Sequence, residues 1–146
     1  MMVRAASMPP RRARLRLVLP GVIAERPRAL RFVSGVCRAN ALSCDVEHAL
    51  VSALGEAFNH AVLHSYAQVA GTVAVEVELD ADRVTLSVRD RGAGFDARSD
   101  DPAALAARRY GLFIMLRAMD EVRWAKEGDE NVVTLVKRIP RPVQTT

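Results

Sequence analysis

Three short stretches of the chain combine side chains able to handle a charged ligand. In Asp90-Arg91-Gly92-Ala93-Gly94-Phe95 a carboxylate follows an alternating apolar run, and two glycines behind it have no Cβ to hold a ligand away from the backbone. A carboxylate so placed accepts hydrogen bonds from an exocyclic amine such as adenine N6. The same residues also make ordinary turns, so this stretch takes its meaning from the other two. The second runs from Glu56 to Tyr66, where Glu56, His60 and His64 recur at i, i+4 and i+8 and share one helix face. Glu56, among Ala, Leu and Val, suits a general base where that face overlooks a cavity. The His60 and His64 spacing also occurs in zinc sites, but the glutamate of H-E-x-x-H is missing and no third ligand is evident. His64 reads more simply as a core histidine bonded to backbone. The third stretch, Arg108-Arg109-Tyr110-Gly111-Leu112-Phe113, puts a glycine where an apolar helix is expected to start. Free amides and the positive dipole end there attract anions. Arg108 and Arg109 would add charge, although paired loop arginines are ordinarily only solvated.

Other phosphate chemistries are missing. There is no G-x-x-x-x-G-K-[ST], neither Lys126 nor Lys137 follows a glycine loop, and the V-A-I-K and H-R-D stretches of protein kinases are absent.

The elements that must position these residues follow from periodicity. Leu15, Leu17 and Leu19 alternate up to the Pro20-Gly21 turn, which predicts a short strand at an edge. From Pro27, Leu30, Val33, Cys37 and Ala41 recur at helical spacing and predict a helix over residues 27 to 41. Asp45 offers an N-cap to a longer helix over residues 46 to 66. Val73, Val75, Val77 and Leu79, the turn Asp80-Ala81-Asp82, then Val84, Leu86 and Val88 predict a β-hairpin. Residues 96 to 110 are small and charged and read as a loop or lid. Leu112, Met115, Leu116 and Met119 predict a helix beginning at Gly111, and a last strand runs from Val132 to Arg138. This order has no repeated βαβ unit and predicts an α+β fold, a two-layer α/β sandwich with helices on one face of a mixed sheet. The expected division is a basic leader over residues 1–14, a domain over 15–140 and a tail over 141–146.

With 146 residues, half of them hydrophobic and 26% charged, the chain has the size and composition of one globular domain rather than of a disordered tail or a fibre. The formal charge of +4 belongs to the first sixteen residues, which hold five of the 21 basic residues and no acidic one. The remaining 16 basic and 17 acidic residues leave the body near neutral, which argues against a nucleic-acid surface. Cys37 and Cys44 form no C-x-x-C pair and no zinc spacing, so a reduced, cytoplasmic setting is expected. The basic start has too short an apolar run for a signal peptide, and no window has the eighteen or so apolar residues of a membrane span.

Taken together, the three stretches resemble the motifs of the GHKL ATPase superfamily, and within it the bacterial anti-sigma factor serine/threonine kinases of the partner-switching type. The resemblance covers about residues 15 to 138. That family carries E-A-x-x-N-A-x-x-H-x-Y on a helix, D-x-G-x-G-F in a loop, G-x-G-L-F-L before the helix after the ATP lid, and a run like M-D-E-V. Here these stand at Glu56 to Tyr66, Asp90 to Phe95, Gly111 to Met115 and Met119 to Val122. Each is weak alone, but their order and separations agree. The resemblance implies the Bergerat ATP-binding fold, with ATP and Mg²⁺ as cofactors. Glu56 would be the base that polarises a Ser or Thr hydroxyl on the partner, Asp90 would read adenine, and Gly92 and Gly94 would let the nucleotide lie against the loop. Gly111, Leu112 and the neighbouring Arg109 would meet the phosphates. Asn131 falls where a Thr is common. The implied partners are a sigma factor and a STAS-type anti-sigma factor antagonist, with homodimerisation through the strand at Leu15 to Leu19, and with no direct contact to nucleic acid or membrane.

Two residues depart from the pattern. His60 stands where the family has its Mg²⁺-binding asparagine, and imidazole is a poor ligand for a cation that prefers oxygen. Asn59 is one residue early, about 100° round the helix, and so is not expected to take over. Arg109 replaces the first glycine of G-x-G, which should stiffen the lid hinge or alter the phosphate cradle. Hence a second reading: a catalytically impaired binding module of the same fold that sequesters a sigma factor or antagonist without phosphotransfer.

Overall fold

The alternating stretches form a sheet, and the stretches of helical period lie across one of its faces. The computed structural model describes residues 13–65, 71–92 and 102–140; for 64, 65 and 103–105 this extends to the backbone only. In chain order they form β1 (Ala13–Pro20), a 3-10 turn (Ile23–Glu25), α1 (Arg26–Ala39), α2 (Cys44–His60) widening into a π-helical turn (Ala61–Ser65), β2 (Thr72–Leu79), β3 (Arg83–Asp90), α3 (Pro102–Ala118), β4 (Glu121–Glu127) and β5 (Glu130–Arg138). The sheet order is β1-β2-β3-β5-β4, so β1 is an edge strand as expected.

Every pairing among the described strands is antiparallel, whereas a mixed sheet was expected. The reason is β4, a strand whose residues, Glu121-Val122-Arg123-Trp124-Ala125-Lys126-Glu127, lack the apolar alternation of a half-buried strand. The single helix crossover leaves β3 and β4 pointing the same way, and β5 folds back between them. Gly128, at a φ of +64°, supplies the turn of that second hairpin.

Register puts the apolar set on one face: Leu19 with Val73, Leu17 with Val75, Val75 with Val88, and Leu86 with Leu135. Ala29, Val33 and Cys37 of α1 and Leu50, Ala53, Leu54, Ala57 and Phe58 of α2 bury against that face. A fully buried Leu or Phe side chain contributes about 1.5–3 kcal/mol, so Leu50, Leu54 and Phe58 fix the rotation of α2 about its axis. Ser43, rather than Asp45, caps α2 by accepting a hydrogen bond from the Val46 amide at 3.2 Å. The opposite sheet face is polar, with Arg89 bonded to Glu76, to Glu127 at 2.7 Å and to Glu130 at 3.4 Å.

The helix expected to begin at Gly111 begins at Pro102, so part of the expected lid is helical. Pro fits the first helical turn and the alanines after it are the strongest helix formers. Small side chains gave that segment no amphipathic signal.

Candidate functional site

The rotation of α2 that buries Phe58 turns Glu56, Asn59 and His60 to the other side, toward α3. There they line a cleft of about 220 Å³ with Leu63 and, from α3, Arg108, Gly111 and Leu112. Gly111 leaves room for the Glu56 carboxylate: a Cβ on it would lie 2.7 Å from Glu56 Oε2. Its position corrects one expectation. Gly111 lies inside α3, where its amide belongs to the helix ladder instead of being a free donor at a helix start. In this structure its contact with Glu56 is steric, and Gly111 and Leu112 lie within the helix. Arg109 is exposed and does not line the cleft; its neighbour Arg108 does.

Glu56 makes no hydrogen bond or ion pair among the described residues. Its lone pairs are therefore available. Asn59 lies beside it. Counted from Glu56 it stands at i+3 and His60 at i+4, so both share that helix face, and the structure has both lining the cleft. Asn59 Oδ1 is buried there without a hydrogen-bond partner. The i+3 spacing from Glu56 is the sequence signal that puts Asn59 on this face.

A second cluster lies at the ends of β3 and β5. Asp90 is 5% exposed, the one buried charged side chain among the described residues. It sits opposite Asn131 in the ladder, and Asn131 Nδ2 donates to Asp90 Oδ1 at 2.9 Å and to the Gly92 carbonyl at 3.0 Å. The Gly92 amide donates to the same Oδ1 at 3.0 Å. Hydrogen bonds to a charged group are worth about 1.5–3 kcal/mol each, which offsets the cost of burying the carboxylate. Oδ2 has no partner among the described residues. Asn131 thus holds both the carboxylate and the start of the glycine loop. Gly94, Tyr66 and the side chain of His64 lie outside the described residues.

A shallower groove of about 610 Å³ runs between the outer sides of α1 and α2, bordered by Leu30, Arg31, His48 and Val51. Across it Ser34 donates to Glu47, and Arg38 Nε donates to the same carboxylate oxygen at 3.1 Å. The Ser34 hydrogen bond and the Arg38 guanidinium hold the Glu47 carboxyl below its ordinary range. Burial pushes the thiol of nearby Cys37 up to about 11, so it stays protonated and unreactive.

No curated protein matches the chain. The crystal structure of the RsbU and RsbW domains of Rv1364c from Mycobacterium tuberculosis shares its fold, with a TM-score of 0.66 at 22% identity over 92% of this chain and 34% of that one. The chain spans about a third of the length of that structure. A family model for the histidine kinase-like ATPase domain matches residues 23–137. That match runs from the turn before α1 almost to the end of β5 and takes in both the α2–α3 cleft and the Asp90 cluster, so the chain belongs to the histidine kinase-like ATPase domain family.

Proposed function

We propose that the chain binds ATP and acts as an anti-sigma factor kinase, passing the γ-phosphoryl group to a Ser or Thr of an anti-sigma factor antagonist and also engaging a sigma factor. The observation that carries the nucleotide reading is Asp90. One of its oxygens is saturated by Gly92 and Asn131, and the other, at the mouth of the glycine loop, is left to accept from an exocyclic amine such as adenine N6. A buried carboxylate held this way discriminates strongly, because a base presenting a carbonyl there would leave it unpaired.

Glu56 has the free lone pairs that a base needs, and it would orient the attacking hydroxyl and take its proton. Phosphoryl transfer otherwise asks mainly for positioning and charge neutralisation. The cleft fits a Mg²⁺-nucleotide: the orphaned Asn59 oxygen is a hard oxygen donor, and when bound the ion would neutralise phosphate charge. The reading further includes a cytoplasmic setting and a homodimer through the exposed edge of β1; no helix among the described residues is long and apolar enough to cross a membrane.

One observation favours the alternative, a binding module that sequesters a sigma factor or antagonist without phosphotransfer. The amides of Gly111 and Leu112 are spent inside α3. To reach phosphates, the turns of α3 before Gly111 must unwind.

Calorimetric titration with ATP and Mg²⁺ decides between the two. Saturable binding at one nucleotide per chain, with faster amide exchange over residues 102–110 on binding, supports the kinase reading. No binding leaves the sequestering module. If ATP binds, Glu56→Gln should abolish phosphotransfer to an antagonist and spare ATP affinity.

A further inference from the structure

We propose that Asn59, not His60, is the α2 residue that ligates the divalent cation of the bound nucleotide; this rests on the nucleotide reading above. Among the described residues, Asn59 Oδ1 is the one buried side-chain oxygen without a partner. A buried amide oxygen left unpaired is costly, and such an atom in a native structure calls for an explanation. A bound cation supplies one.

The position agrees. At about 100° per residue, Asn59 points roughly 60° to one side of Glu56 and His60 roughly 40° to the other, so the three share the cleft. The chemistry separates the two candidates. Mg²⁺ takes oxygen ligands, which Asn59 offers and an imidazole does not. His60, moreover, already takes part in an interaction within the protein. The divergence at His60 then moves the ligand one residue toward the N-terminus of α2 and leaves the site functional.

The test is ADP affinity of the full chain in Mg²⁺ and in EDTA, by calorimetry, for wild type, Asn59→Ala, Asn59→Asp and His60→Ala. Wild type should bind about tenfold or more tightly with Mg²⁺, Asn59→Ala should lose that enhancement while keeping its affinity in EDTA, and His60→Ala should keep the enhancement within about twofold. Asn59→Asp, which retains an oxygen, should preserve it and guards against a loss due to misfolding. Bound Mn²⁺ should broaden its paramagnetic resonance signal in wild type and His60→Ala but not in Asn59→Ala. Enhancement that survives in Asn59→Ala, or that disappears in His60→Ala, overturns the assignment. So does ADP binding that is indifferent to Mg²⁺, which leaves the nucleotide reading standing. Absence of ADP binding under both conditions overturns both.

Discussion

Asp90 and Glu56 are carboxylates at the two candidate centres, and their surroundings differ in kind. Asp90 lies within the sheet, tied to a backbone amide and to a cross-strand asparagine that also pins the next loop. Glu56 stands on a helix, half-buried, unbonded, and covered on one side by a glycine that any larger residue would crowd. The first centre is built to keep one shape whether or not a ligand is present, which suits recognition. The second keeps its lone pairs uncommitted and is bounded by a helix whose interior holds the Gly111 and Leu112 amides that a phosphate would need. That suits a group that acts only after a rearrangement.

The largest expected effect breaks the second centre at its foundation. Phe58 is fully buried beneath the cleft, and Phe58→Ala should cost about 3–5 kcal/mol in chemical denaturation. If the centres are as separate as their bonding suggests, amide exchange in the surviving fold should rise along α2 more than along β3 and β5. An equal rise in both would mean that the sheet end depends on the helix as well. Next in size is Asn131→Ala. It leaves buried Asp90 with the Gly92 amide alone, and should cost about 1.5–3 kcal/mol of stability and weaken nucleotide binding, while barely changing exchange in α2. Stability at the wild-type level would show that Asn131 is no clamp.

Much of the first centre was legible in the sequence and much of the second was not. The alternation from Val73 to Val88 predicts the hairpin because a half-buried antiparallel strand must show period two, and Asp90 at its end follows directly. β4 shows no such pattern because an exposed edge strand is held by backbone pairing to β5, to which side-chain hydropathy is blind. The early start of α3 escaped for a related reason: an alanine-rich helix has propensity without an apolar stripe. That Asn59 lines the cleft beside His60 follows from its i+3 spacing to Glu56, which its angle to His60 does not show.

Gly111→Ala probes the contact between the helices with a smaller effect. Replacing a helix-interior glycine gains up to about 1 kcal/mol, while the new methyl must push aside only the mobile end of Glu56. Stability should therefore change little or rise, whereas phosphotransfer should fall because Glu56 is displaced. A loss above about 2 kcal/mol would mean that Glu56 is rigidly held and the contrast with Asp90 is false.

The smallest effect concerns a third carboxylate, remote from both centres, that separates structural from functional bonding. Glu47 titrates below its ordinary range because Ser34 donates to it and Arg38 lies beside it. Its folded value being the lower one, the contribution to stability is present in full above the ordinary carboxylate range and fades as the pH falls through the folded value. Ser34→Ala removes the larger cause. The variant should melt slightly below wild type at about pH 7 and converge with it once the pH falls below the folded value, where both carry a protonated Glu47. A gap that persists unchanged in acid would assign the effect of Ser34 to packing between α1 and α2 instead of to the charge on Glu47.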